Sequence, residues 1–84
     1  MEIRTLIRSA NRIGDFFESM PDKNEAAEGI ANHIQKNWEP RMRRQLLDFL
    51  AEHPEGRSGE NQLHPFVLET VLKQRQRLTP AAAV

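Results

Sequence analysis

Apolar positions from Ile3 to Met20 recur three and four apart, at Ile3, Leu6, Ile7, Ala10, Ile13, Phe17 and Met20, with Phe16 broadening the stripe. That spacing is one face of an amphipathic helix, and Arg4, Arg8, Arg12, Asp15 and Glu18 supply its solvated side. Pro21 ends it, because the ring fixes φ and leaves no N–H to donate. A second helix follows with Asp22 or Asn24 as its cap, and Glu25 and Glu28 begin it where the macrodipole favours negative charge. Its apolar strip, Ala26, Ala27, Ile30, Ala31 and Ile34, is narrow and built of small residues. Gly29 beside that strip costs about 1 kcal/mol of helix propensity relative to Ala, which points to a packing reason or else marks a weak spot in the helix.

Trp38-Glu39-Pro40 is the next corner, since Pro40 suits a first helical turn and disfavours helical geometry at Glu39. Met42, Leu46, Phe49 and Leu50, with Leu47 alongside, then form a third stripe running to about Glu52. Residues 53–62, with Pro54, Gly56, Ser58 and Gly59 among charged residues, read as a loop. Pro65 opens a fourth pattern of Phe66, Val67, Leu68, Val71 and Leu72, whose end carries Lys73, Arg75 and Arg77 to complement the dipole. No alternating strand pattern and no internal repeat is visible. The expected fold is all-α: a small bundle of three to four helices, one domain over residues 1–78, and a disordered tail over 79–84.

Composition narrows what such a bundle can do. A chain of 84 residues buries only about 60% of the surface its unfolded form exposes. With 38% hydrophobic and 6% aromatic residues there is material for one layer of helix packing, so a deep catalytic pocket is not expected. The absence of Cys excludes a disulfide staple, thiolate zinc or iron–sulfur ligation and a cysteine nucleophile. The N-terminus fits neither a signal peptide nor a transit sequence, and no apolar run approaches the ~20 residues that span a bilayer, so a soluble cytoplasmic protein with no membrane contact is expected. His33, His53 and His64 share no metal-ligand spacing, and Ser9, Ser19 and Ser58 sit in no nucleophile-elbow context. Neither catalytic nor metal-binding residues are assigned.

Twelve Lys and Arg balance twelve Asp and Glu. The net charge of zero conceals segments of −2 (residues 1–35), +3 (36–44), −3 (45–63) and +2 (64–84). The positive patch is Lys36, Arg41, Arg43 and Arg44, next to Trp38. Guanidinium groups beside an indole suit phosphate or carboxylate binding, and equally a protein interface. The same residues are also compatible with a solvated helix face whose Trp38 is buried in the bundle. Nucleic-acid binding is poorly supported, because acidic segments interrupt the basic ones.

The run Ala10-Asn11-Arg12-Ile13-Gly14-Asp15-Phe16-Phe17, then Met20-Pro21-Asp22, Gly29-Ile30-Ala31-Asn32-His33 and Trp38-Glu39-Pro40-Arg41-Met42-Arg43, resembles the delta subunit of NAD-dependent formate dehydrogenase over roughly residues 3–50. The resemblance implies a small non-catalytic accessory subunit of a soluble cytoplasmic complex. In that family an alpha subunit carries a molybdenum or tungsten bis-guanine-dinucleotide pterin and iron–sulfur clusters. Beta and gamma subunits pass electrons to FMN and NAD as formate is oxidised to carbon dioxide. The delta subunit holds no cofactor of its own; it binds the alpha subunit and supports assembly, cofactor retention or stability. On that basis Trp38, Arg41, Arg43 and Arg44, together with Lys36, are expected to contact the alpha subunit, possible neighbours being the pyrophosphates of its pterin dinucleotide. Phe16 is expected to point outward as a further contact, while Ala10, Gly14 and Phe17 serve helix packing. The alternative is a free-standing helical regulator that binds nucleic acid or another protein through the same patch.

Overall fold

The computed structural model describes residues 2–81. Its elements run α1 (Ile3–Glu18), α2 (Lys23–Asn37), α3 (Pro40–Glu52), β1 (Arg57–Ser58), β2 (Asn61–Gln62), α4 (Pro65–Lys73) and α5 (Arg75–Leu78). The architecture is the expected all-α bundle, with two additions.

Each helix buries the stripe its spacing defines. Leu6, Ile7 and Ala10 of α1, Ile30 and Ile34 of α2, Leu46, Leu47 and Leu50 of α3, Leu63, and Val67 and Val71 of α4 come together in one core, and Gly14, Ala26 and Ala31 are buried beside it. Thr70 is buried among them and satisfies its hydroxyl by donating to the Phe66 carbonyl at 2.8 Å. Of the two possible caps for α2, Asp22 does the work: its carboxylate accepts from the N–H groups of Asn24 and Glu25. Helix α1 stops at Glu18, short of Met20, where the Ser19 hydroxyl donates to the Phe16 carbonyl and closes the last turn.

Small residues set the closest approaches. A Cβ on Gly14 would collide with Cγ2 of Val67, so α1 and α4 pack backbone against side chain there. A Cβ on Gly29 would stand 2.5 Å from the Phe17 ring, which lies flush on α2. Asn11 adds a polar tie from α1 to β2 and to the entry of α4. Its Nδ2 donates to the Gln62 carbonyl at 2.9 Å, and its Oδ1 accepts from the His64 N–H at 2.8 Å.

Two expectations about the C-terminal half are corrected. The segment 53–62, read as a loop, contains the antiparallel hairpin β1–β2, with Ser58 opposite Asn61 across the two-residue turn Gly59-Glu60. Gly59 has φ +63 and Glu60 does not share the positive sign, the pattern of a type II′ turn that right-twisted strands favour. The fourth helical pattern breaks at Gln74, so α5 is a separate short helix that returns Leu78 to the core. At the start of the expected tail, Thr79 donates its N–H and hydroxyl to the Arg75 carbonyl and Pro80 is buried. Residues 82–84 of that tail lie outside the described residues.

Arg77 fastens α5 to α2. Its guanidinium meets the Glu28 carboxylate at 2.8 Å and donates to Gln35 Oε1 at 2.8 Å and Asn32 Oδ1 at 3.4 Å.

Candidate functional site

The six residues singled out for partner contact separate into three environments. Trp38 is 7% exposed and belongs to the core cluster rather than being offered beside the arginines. The expectation of a surface indole is therefore corrected: Trp38 ends α2 in extended conformation, φ −86 and ψ 136, which takes it off the helical period. Arg43 is half-buried and reaches across to the Leu78 carbonyl at the end of α5, at 3.4 Å. Its Nε is buried with no hydrogen-bond partner, so this guanidinium is enclosed by the fold and not displayed. Lys36, Arg41 and Arg44 are exposed.

Phe16 is 72% exposed, the one large hydrophobic residue so placed among the described residues. Its position follows from the helical period. Phe17 falls on the core side of α1 and covers Gly29, which turns Phe16 outward by about 100°. The two rings meet edge to face, centroids 5.0 Å apart, and Phe17 stands 6.4 Å from the His33 ring on α2. Together with Ile13 and Arg12 they line an open groove of about 340 Å³ whose walls are almost wholly apolar. Lys36 lies one turn beyond His33 along α2, outside the lining of this groove.

A larger groove of about 500 Å³ lies between α3 and α5, lined by Arg44, Leu47, Asp48, Ala51, Arg75, Thr79 and Pro80. No sequence signal marks it, because Thr79 and Pro80 carry no periodicity and Arg75 lies 31 residues from Arg44 along the chain. Only the turn at Gln74 brings them together.

Among the described residues no group of three or more His, Cys, Asp or Glu is placed to hold a metal ion. Among the same residues no helix is long and apolar enough to cross a membrane. His64 and Asp15 approach at 3.3 Å across α1 and α4, but both are partly exposed and the pair borders neither groove.

Comparison with curated proteins and with solved structures gives no match. The family model described as NADH-dependent formate dehydrogenase delta subunit (FdsD) matches residues 5–71.

Proposed function

The chain belongs to the delta-subunit family of NADH-dependent formate dehydrogenase, and from that premise we propose that it is a non-catalytic accessory subunit that docks on the alpha subunit through the Phe16 groove. Its role there is to support assembly, cofactor retention or stability of the enzyme that oxidises formate. The molybdenum or tungsten pterin, the iron–sulfur clusters, FMN and NAD belong to the alpha, beta and gamma subunits in this reading. A chain without cysteine has no thiolate to offer an iron–sulfur cluster. The complex is placed in the cytoplasm.

The observation that carries the docking site is the exposure of Phe16. Burying a phenylalanine is worth about 1.5–3 kcal/mol, and an isolated subunit forgoes that at Phe16. Other residues of the segments that resemble the family are used by the fold. Asn11 ties α1 to the hairpin, Gly14 and Gly29 admit close neighbours, Trp38 fills the core and Pro40 starts α3. Phe16 does none of these things, lies within residues 5–71 and sits on an apolar groove. An exposed aromatic anchor beside an arginine is the composition of an interface hot spot, and Arg12, with Lys36 further along α2, would meet carboxylates on the alpha subunit.

The regulator reading loses support from the position of Trp38. Once that indole is inside the core, the basic segment 36–44 has no flat aromatic on which a base could stack.

Phe16→Ser removes the anchor at a solvent-exposed position, so the stability of the isolated chain should change by no more than about 0.5 kcal/mol. Co-purification of the alpha subunit with the tagged variant should fall on the order of tenfold, with molybdenum content and formate-dependent NAD reduction falling alongside. Unchanged yield, metal content and activity with Phe16→Ser and with Phe16→Asp would refute the site.

A further inference from the structure

Helix α3 carries its charges against its own macrodipole. Arg41, Arg43 and Arg44 crowd its first turns with no acidic residue among them, and Asp48 and Glu52 lie toward its C-terminus with no basic residue in the last turn. Each charge so placed forgoes, or opposes, the stabilisation that the helix dipole offers. Arg43 has a structural use, since it reaches the Leu78 carbonyl. Arg41 and Arg44 have none. Neither makes a side-chain hydrogen bond or ion pair among the described residues, and Arg75 on α5 is equally unpaired.

Arg44 and Arg75 flank the groove, whose apolar lining is the exposed Ala51 with the edges of the otherwise buried Leu47 and Pro80. Asp48 lines the same groove four residues on from Arg44, the spacing of a helical ion pair, yet the two are not joined. Arg41 precedes Arg44 by one turn on the same stripe of α3, which extends the basic end beyond the groove. The arrangement is an apolar trough between two free guanidinium groups, with a single carboxylate at its side.

We infer that the α3–α5 groove is a second docking site, separate from the Phe16 face, for an acidic segment of a protein partner with apolar side chains among its carboxylates. The apolar side chains cover Ala51 and the edge of Leu47, and the carboxylates take bidentate hydrogen bonds from Arg44 and Arg75. Arginine at both positions suits the planar two-oxygen geometry of a carboxylate. Asp48 argues against a nucleic-acid occupant, whose closely spaced phosphates would meet a fixed negative charge in the groove. The inference does not depend on the alpha subunit docking at Phe16.

The test is a titration of the full-length chain, followed through its backbone amide resonances, with a synthetic peptide of repeating Leu-Glu-Glu and with its Leu-Gln-Gln counterpart. The acidic peptide should shift amides of residues 44–51 and 75–79, and the neutral one should leave them in place. Arg44→Glu combined with Arg75→Glu should weaken the interaction on the order of tenfold, and Phe16→Ser should not alter it. Arg44→Gln with Arg75→Gln gives the same reading should charge reversal disturb folding. The site is overturned by any of four results: no shift at about 1 mM peptide, equal binding of the neutral peptide, equal binding by the charge-altered chains, or shifts confined to the Phe16 groove. A short double-stranded DNA that perturbs the same amides more strongly than the acidic peptide overturns the assignment to a protein segment.

Discussion

Trp38 and Phe16 are the two large aromatic residues whose positions decide what this chain can touch. Trp38 fills the core at the α2–α3 corner, so Trp38→Ala should cost about 3–5 kcal/mol. In a domain this small that cost should lower the melting temperature by tens of degrees or prevent folding, as followed by circular dichroism. A variant with nearly unchanged melting would mean that the indole is not packed as described. Its burial was one of three readings compatible with the sequence, and the sequence could not choose between them. The residue follows the last turn of α2 in extended conformation, where the helical period no longer indicates direction. Asn11 was illegible for a different reason: its partners, Gln62 and His64, lie 51 and 53 residues away. Asn11→Ala would strand the His64 N–H and the Gln62 carbonyl in a partly buried site, and a loss of about 1–3 kcal/mol in urea denaturation is expected.

Helix α3 allows stability and docking to be separated at the scale of an element. Arg41 is exposed and unpaired near its N-terminus, so Arg41→Glu replaces an unfavourable charge with a favourable one. The isolated chain should gain about 0.3–1 kcal/mol, read as a higher urea midpoint with an unchanged slope. A loss of stability would show that Arg41 serves the fold. The long helices were legible because each carries an apolar stripe, with a cap or a proline at the start of α2, α3 and α4 and Pro21 shortly after the end of α1. The hairpin was not, since two strands of two residues each are too short to show alternation. Its one local signal was Gly59 before Glu60, readable as a turn but not as paired strands.

At the scale of the whole molecule, α5 closes the bundle. Four residues cannot form a stable helix alone, so α5 exists because Leu78 enters the core and Arg77 grips α2. Arg77→Ala should lower stability by about 1–2 kcal/mol, most of it from the hydrogen bonds to Gln35 and Asn32, because Glu28 is exposed and its ion pair is screened. Arg77→Lys should recover only part of this, since an ammonium lacks the planar fork. An unchanged thermal midpoint in both would show that α5 is held by Leu78 alone. The same closure forms the α3–α5 groove, which brings Arg75 and Pro80 beside Arg44 and Leu47. The sequence by itself determined the helical class, the apolar face of each long helix, the lack of any cysteine chemistry and the resemblance to a formate dehydrogenase subunit, because these reside in composition, local period and short motifs. Only the tertiary structure decided that Trp38 is inside, that Arg43 is enclosed, and that Arg44 and Arg75 share a groove. A stripe names the face a helix must cover, but the turns and crossings that bring distant residues together decide what covers it.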